Sequence, residues 1–305
     1  MKRQAQRASR PAARCPAAIK KKTLPVRGFL IHVSHYDPLW FASKDQEKPF
    51  DVNVALELID AMAEAGLNLL AVDCADGVRY ASHPELARPY TVPMAGLRRI
   101  ARRAEARGIE TVGKLNFSQS GLHRHNHWFR PYNDLFDSDE YFRKAFELID
   151  EVIAELRPRR FFHIGMDEDH WRGHRLYVRA IKALRSGLKK RGLRTLIWND
   201  SACVWPAAEA HKEKSLAAEL AAPKDVVQVL WDYATTRPAI LRRIVEEGFE
   251  LWGAPGGSPD RVRKMRRALL RLGGKGILLT RWRPCTAQTR DDLLAFVRTC
   301  GPVCL

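Results

Sequence analysis

The sequence predicts a single domain with an α/β fold, the (β/α)8 TIM barrel. The main observation is a repeating unit that begins after residue 27. Each unit has a short apolar run rich in β-branched residues, then a loop, and then a helical stretch or enough residues to form a helix. Eight such units fill the remaining 278 residues, close to the typical size of about 250 residues for this barrel. The rival is a doubly wound open sheet, which usually has fewer strands, and no first turn shows GxGxxG.

Each strand is predicted from an apolar run bounded by polar residues or glycine. The eight strands cover, in order, residues 29–34, 69–73, 109–117, 160–165, 195–198, 226–231, 249–252 and 276–280. Apolar residues at helical spacing predict helices over residues 53–65, 94–107, 139–156, 173–191, 238–247, 260–272 and 290–299. A glycine, the residue that most often ends a helix, follows several of these stretches, at Gly66, Gly108, Gly192, Gly248 and Gly273.

The positive charge of the chain is concentrated at its start. The formal net charge is +17, and residues 1–27 contribute nine basic residues and no acidic one. This stretch has three prolines and almost no large apolar side chain, so we predict a disordered leader followed by the barrel over residues 28–305. It lacks the apolar segment of a secretory signal, and a nucleic-acid or membrane arm and a transit peptide are the alternatives.

Composition excludes several classes of protein. The hydrophobic fraction of 46% is ordinary for a globular chain, and no stretch approaches the roughly 18–20 apolar residues of a membrane span. The six cysteines form no CxxC pair and no spacing typical of a zinc ribbon or a disulfide framework. We therefore predict a cytoplasmic protein with no cofactor, no resident metal and no nucleic-acid partner, since no nucleic-acid-binding module accompanies the charge.

The C-terminal ends of the predicted strands, where TIM barrels place their active sites, carry many polar and aromatic residues. The polar candidates for substrate binding are His35, Asp73, Asp76, Asn116, His123, His163, Asp200 and Asp232. The aromatic candidates are Trp198, Trp231, Trp252 and Trp282. A single tryptophan here could simply cap the barrel core, whereas four from different strands would line a cup. Aromatic walls suit the C–H faces of a sugar, and the polar groups suit its hydroxyls, so the pattern favours a carbohydrate.

Asp167 and Glu168 are the candidate catalytic residues. Adjacent carboxylates repel each other, so one tends to stay protonated at higher pH than usual. A protonated carboxylic acid is what glycosidic cleavage requires for donation to the leaving oxygen. Taken alone, the dipeptide is more typical of a strand-end acidic pair that binds backbone or a neighbouring arginine.

The surrounding sequence resembles family 20 glycoside hydrolases, the β-N-acetylhexosaminidases. Residues 161–168, FFHIGMDE, are similar to the H-x-G-x-D-E motif of that family. Residues 27–35 look like its first strand, R-G-x-x-x-D-x-x-R, and residues 68–76 like its second, where Asn precedes Asp by eight. Residues 276–282 look like its last strand, where Trp follows Gly by six. Only the first of these motifs is specific.

The resemblance implies a retaining mechanism in which the 2-acetamido oxygen of the substrate attacks the anomeric carbon. Glu168 would be the general acid and then the base, and Asp167 would orient and polarise the acetamido group. His163 would support the pair from within the barrel. The four tryptophans would be candidates for the walls of the sugar pocket.

Several positions depart from the pattern of that family. The Asp and Arg of its first strand fall on His32 and His35, and the His of its second strand falls on Asp73. Pro284 stands where an acidic residue follows the last tryptophan, and no evident Tyr-x-Asp follows the seventh strand. The groups that read sugar hydroxyls are therefore changed while the catalytic pair is kept, which predicts altered sugar specificity.

Three other interpretations remain open. A metal-dependent hydrolase would take ligands from His123, His125 and His127 together with His163, Asp167 and His170. A non-catalytic barrel would bind glycans with the same aromatic cup. A phosphate site is a weaker idea for the loop at residues 253–258, because Ser258 and Pro259 also fit the ordinary start of a helix.

Overall fold

The protein is described from a computed structural model. The described residues are 23–34, 48–120, 127–129, 132–204 and 209–305. The predicted leader, as far as residue 22, lies outside these ranges, and so do the candidate substrate ligands His35 and His123.

Parallel strands close into the eight-stranded barrel that the sequence predicts. In chain order the strands are β1 (Val26–His32), β2 (Leu69–Asp73), β3 (Val78–Arg79), β4 (Val92–Pro93), β5 (Glu110–Lys114), β6 (Phe161–His163), β7 (Arg194–Asn199), β8 (Val227–Trp231), β9 (Leu251–Ala254) and β10 (Gly276–Pro284). The barrel runs from β1 through β2 and β5 to β10, which pairs with β1 and closes the sheet. The short strands β3 and β4 pair with each other in the connection after β2.

The helices lie between the strands and cover the outside of the barrel. Those in the described part of the chain are α1 (Val52–Glu64), α2 (Ala95–Ala106), α3 (Asp139–Leu156), α4 (His174–Lys190), α5 (Glu209–Ala221), α6 (Pro238–Glu246), α7 (Pro259–Leu272) and α8 (Arg290–Cys300). Side-chain oxygens of Asp51, Ser138 and Ser258 cap α1, α3 and α7 by accepting backbone N–H groups. Ser258 is thus the N-cap and Pro259 the first residue of α7, as the sequence predicts.

The inside of the barrel is filled by its own apolar side chains. They come from all eight strands of the barrel and form one buried cluster: Val26, Leu30, Leu69, Ala71, Val112, Phe161, Leu196, Trp198, Val227, Val229, Trp252, Ala254 and Leu278. The barrel is consequently a packed core rather than a pore, and a ligand can bind only in the cup above it.

The element boundaries differ from the prediction in a few places. The first strand begins at Val26 and Leu24 is fully buried, so the barrel begins a few residues before the predicted boundary at residue 28. The last strand continues to Pro284, four residues beyond the predicted end. Pairing with neighbouring strands decides both ends, and such pairing is not visible in local composition.

Within the described residues, none of the helices is both long enough and apolar enough to span a bilayer.

Candidate active site

Asp167 and Glu168, here called the carboxylate pair, lie in a strained loop at the C-terminal end of β6. The backbone takes positive φ angles at Gly165 (71°), Met166 (76°) and Glu168 (51°). For a residue with a side chain, such a conformation costs of order 1–3 kcal/mol and persists only where neighbours impose it. One such neighbour is Tyr177 of α4, whose hydroxyl donates to the Met166 carbonyl at 2.7 Å. Backbone strain of this kind is typical of functional sites.

Asn116, two residues beyond β5, holds the loop and orients Asp167. Its side-chain Nδ2 donates to Asp167 Oδ1 at 2.7 Å. Its Oδ1 accepts the backbone N–H of Met166 and that of Ser118, each at 3.1 Å. The fit is close, because a Cβ atom at Gly165 would lie only 2.1 Å from Asn116 Oδ1. Asn116 therefore fixes both the direction of the Asp167 carboxylate and the path of the backbone.

Asp200, just after β7, fixes the other member of the pair. Its Oδ2 accepts the backbone N–H of Glu168 at 2.7 Å, and its Oδ1 accepts the indole N–H of Trp231 at 2.7 Å. Burial, together with the negative charges of Asp167 and Glu168, holds the pKa of Asp200 well above its ordinary value. Asp200 therefore keeps its proton to a higher pH than an ordinary aspartate does.

A buried ionic network braces the far side of the loop. Arg172 is fully buried and donates to Asp169 at 2.7 Å and to Asp137 at 3.0 Å. Asp169 also accepts the backbone N–H of Gln119 at 2.8 Å, and Lys214 of α5 donates to its carbonyl. The network ties the loop after β6 to the loop after β5 and to α5, so the carboxylate pair stands on a fixed support.

A second buried network forms the floor of the cup. Lys114 Nζ lies 2.6 Å from Asp73 Oδ2, and His32 Nδ1 lies 3.2 Å from the same oxygen. Burial alone would raise the pKa of Asp73, but the charge of Lys114 and the hydrogen bond from His32 outweigh it and hold that pKa well below its usual range. Burial lowers the pKa of His32, so this imidazole is neutral at pH 7.

His163 lies beneath the carboxylate pair, as the family resemblance implies for its position. Its Nδ1 accepts the backbone N–H of Gly165 at 3.0 Å. Burial holds the pKa of His163 well below its ordinary value, so the ring is neutral and Nδ1 can act as the acceptor. The Trp198 ring packs against it with a centroid distance of 4.6 Å.

Tyr233, which the sequence prediction left out of the site, lies at its centre. Its hydroxyl oxygen accepts hydrogen bonds from Thr280 Oγ1 at 3.0 Å and from Trp282 Nε1 at 2.9 Å. Burial is the main reason that its pKa lies well above the ordinary tyrosine value, and the charges of Asp167 and Glu168 raise it further. The sequence signal was its position two residues after β8, at the barrel face that carries active sites.

Two of the four predicted tryptophans contribute to a partly exposed aromatic wall. The Trp231 ring lies 5.3 Å from the Tyr233 ring, and the Trp282 ring lies 4.7 Å from the His32 ring. The other two are buried. Trp198 is only 1% exposed, and Trp252 is fully buried in the lower barrel core, 5.1 Å from the Phe161 ring.

Two predicted acidic ligands are already occupied within the protein. Asp232 accepts backbone N–H groups of the turn that follows it and forms an ion pair with Arg237 at 2.6 Å. Asp76 accepts the hydroxyls of Ser34 at 3.0 Å and Tyr90 at 2.8 Å. Both carboxylates therefore shape the connections around the cup.

The histidine cluster proposed as a metal site is only partly open to inspection. His123 and His125 lie outside the described residues, as does the side chain of His127. In the part of the chain that the structure describes, no group of three or more His, Cys, Asp or Glu side chains is placed to hold a metal ion.

Sequence comparison finds no counterpart: no protein-family model matches the chain, and no curated protein does. Solved structures do match. The chain is similar to dispersin B, with 14% identity and a TM-score of 0.60 over 92% of this chain and 98% of that one. It is also similar to the GH20 β-N-acetylhexosaminidase from Streptomyces coelicolor A3(2), with 18% identity and a TM-score of 0.66 over 93% of this chain and 64% of that one.

A third match is the β-N-acetylhexosaminidase from Bacteroides fragilis NCTC 9343, with 15% identity and a TM-score of 0.67. The match covers 92% of this chain and 65% of the Bacteroides fragilis chain. This chain therefore spans about two thirds of the length of the longer neighbours. At these identities the likeness concerns the fold. The chain has the (β/α)8 barrel fold found in solved structures of glycoside hydrolase family 20.

Proposed function

We propose that the protein is a divergent family 20 glycoside hydrolase that cleaves a β-linked N-acetylhexosamine or a related sugar with retention of configuration. The observation that carries this proposal is the carboxylate pair, because each member is oriented by a different neighbour. Asn116 holds the Asp167 carboxylate, and Asp200 holds the backbone of Glu168. The barrel fold and the β-N-acetylhexosaminidases among its structural neighbours support the same reading.

In the proposed mechanism, Glu168 first acts as general acid and transfers its proton to the glycosidic oxygen as the leaving group departs. The acetamido oxygen of the substrate attacks the anomeric carbon and forms a cyclic oxazolinium intermediate, so the enzyme supplies no nucleophile. Glu168 then takes a proton from a water molecule, which attacks the same carbon and reopens the ring. The two inversions together retain the configuration, and Glu168 is protonated again for the next cycle.

Asp167 and Tyr233 are placed to act on the acetamido group. The Asp167 carboxylate accepts the acetamido N–H, which makes the carbonyl oxygen a better nucleophile and stabilises the positive charge that develops. The Tyr233 hydroxyl accepts from Thr280 and Trp282, so its own proton is available to donate toward the substrate. Its raised pKa keeps that proton in place throughout the neutral range.

The partly exposed wall formed by Trp231 and Trp282 provides an apolar face for the sugar ring. Because Trp282 packs against neutral His32, the wall continues into the floor of the cup through an uncharged ring. Such a surface suits the C–H face of a pyranose.

The test is a screen of aryl glycosides with the wild type, Glu168→Gln and Glu140→Gln. Glu140 is an exposed residue of α3 and serves as a control for the same chemical change. We expect release of the aryl group from N-acetyl-β-hexosaminides by the wild type and by Glu140→Gln. Loss of the general acid lowers kcat by about 100-fold or more in Glu168→Gln, while ligand binding is retained.

Two outcomes contradict parts of this proposal. Activity confined to glycosides without an acetamido group would rule out the substrate-assisted mechanism. Binding of N-acetylhexosamine by both wild type and Glu168→Gln, with no turnover by either, would instead identify a glycan-binding barrel.

We further propose that the protein works in a reducing compartment such as the cytoplasm. The five cysteines in the described part of the chain are all free thiols with buried side chains. This usage fits a compartment in which thiols stay reduced.

A further inference from the structure

A cavity of about 480 Å³ adjoins the aromatic wall at the rim of the barrel, between the start of α7 and the end of β10. The described residues that line it include three arginines, Arg261, Arg281 and Arg283, and no acidic residue. Tyr233 and Trp282 form the side that it shares with the candidate active site.

The positive charge of this cavity is only partly neutralised. Arg281 forms a bidentate ion pair with Asp292 of α8 at 2.5–2.9 Å. In the described part of the chain, the guanidinium groups of Arg261 and Arg283 form no hydrogen bond or ion pair, and Asp292 acts on Arg283 only through its charge at longer range. The nearby Asp260 is bound to Arg263, outside the cavity. The cavity thus offers two guanidinium groups to a ligand, and the N-terminal end of α7 adds a field of the same sign.

The cavity is close to the reacting groups. Tyr233 lies on its wall and within range of the charges of Asp167 and Glu168, which contribute to raising the pKa of that tyrosine. Trp282, on the same wall, donates to the Tyr233 hydroxyl at 2.9 Å. A ligand group in the cavity would therefore belong to the sugar in the cup or to the sugar next to it.

We propose that this cavity binds an anionic group carried by the substrate, so that the substrate class is an acidic N-acetylhexosaminide. The inference rests on the proposed function and deepens it. A compact oxyanion, such as a sulfate ester or a carboxylate, matches the planar fork of donors that each guanidinium presents.

The test compares 4-nitrophenyl N-acetyl-β-glucosaminide with its 6-O-sulfate, and adds N-acetylglucosaminyl-glucuronate, in which the charge is on the leaving sugar. Binding of N-acetylglucosamine and of its 6-sulfate is measured in parallel by calorimetry. The variants are the doubles Arg261→Gln/Arg283→Gln and, as a control, Arg267→Gln/Arg271→Gln. The control removes two exposed positive charges from α7 away from the cavity.

We expect the wild type to prefer one of the charged substrates over its neutral counterpart by about 10-fold in kcat/KM or in affinity, since two charge-assisted contacts form near solvent. The preference should fall to about twofold or less in Arg261→Gln/Arg283→Gln and persist in the control double variant. The arm that shows the preference identifies which sugar carries the charge.

The inference is overturned if the neutral substrate is hydrolysed and neither charged substrate is preferred, or if the preference survives in Arg261→Gln/Arg283→Gln. In that case the proposed function still stands. Arginine-dependent binding of the 6-sulfate without cleavage of any N-acetylhexosaminide has the opposite meaning, because it supports the cavity and contradicts the proposed function.

Discussion

At the scale of single residues, the site depends on buried polar groups that act through the carboxylate pair. Asp200 is 1% exposed, and its two oxygens accept one hydrogen bond each from the Glu168 backbone and from Trp231. It was predicted to bind substrate because it ends a strand. Its contacts instead place it behind Glu168, whose backbone N–H it accepts.

Substitution of Asp200 by Asn should lower activity and change its pH dependence. The amide can accept only one of the two hydrogen bonds. It also cannot gain the negative charge that Asp200 acquires once the pH exceeds its raised pKa, a charge that opposes loss of the proton from Glu168. Since the general acid must be protonated, the alkaline limb of the kcat profile should move to lower pH by about 0.5–1 unit. Asp225→Asn, an exposed change in the pair with Arg185, should leave the profile in place. If the alkaline limb of the kcat profile does not move in Asp200→Asn, the role of Asp200 is purely structural.

The floor network makes a prediction for stability. Lys114→Met leaves the Asp73 carboxylate buried without its ammonium partner, which should lower the free energy of unfolding by about 3–5 kcal/mol in urea denaturation. The folded-state pKa of Asp73 lies well below its unfolded value. Its contribution is therefore complete at neutral pH and is lost only as the pH falls below about 4.

The control for this measurement is Arg98→Met, which removes an exposed pair with Glu155 and should change stability little. A further check is the double variant Asp73→Leu/Lys114→Met, which removes both buried charges and should recover part of the loss. If Lys114→Met is as stable as the wild type, the pair contributes nothing to the fold.

At the scale of elements, the loop after β6 matters more than the strand itself. The strand is only three residues long, and the chain leaves it through a turn that requires a positive φ at Gly165. The same glycine lets Asn116 approach the backbone. The HIGMDE sequence thus combines the carboxylate pair with the glycine that its loop geometry needs.

Gly165→Ala tests whether the position of the loop, rather than the positive φ angle alone, determines activity. Its Cβ would lie 2.1 Å from Asn116 Oδ1, so the loop must move and kcat/KM should fall by about 100-fold. Gly192→Ala also places alanine at a positive φ of 73°, but nothing lies within 4 Å of its Cβ. That control should cost only about 1 kcal/mol of stability and keep full activity. Equal activity of the two variants would contradict the role assigned to Asn116.

At the scale of the whole molecule, closure of the barrel depends on β1. It pairs with β2 on one side and β10 on the other, and its first residue, Val26, belongs to the interior cluster. Arg27 links it to the next unit by donating to the carbonyls of Gly66 and Leu24. The barrel therefore needs the chain from about residue 24 onward.

Two truncations test this boundary by thermal unfolding. A chain that starts at Thr23 should keep the melting temperature and the activity of the full chain, because the predicted leader has little apolar surface to bury. A chain that starts at Gly28 loses Leu24, Val26 and the contacts of Arg27, and should unfold at least about 10 °C lower. Equal melting temperatures for both would place the start of the barrel later.

The sequence by itself determined the barrel and the carboxylate pair. The fold can be predicted because the alternation of apolar run and helical stretch repeats eight times and a glycine follows five of the helices. The pair can be predicted because HIGMDE is a local motif of neighbouring residues. Exact strand ends were less readable, since β10 is extended by its pairing with β1.

Only the tertiary structure decided what surrounds the pair. Trp252 and Trp231 both end apolar runs, yet strand register puts Trp252 in the lower core and Trp231 on the cup. Asp232 and Asp200 likewise follow strands, yet the first caps a turn and the second supports Glu168. Such roles depend on partners that are distant in the chain, because a buried polar group is defined by the hydrogen bonds available where the fold places it.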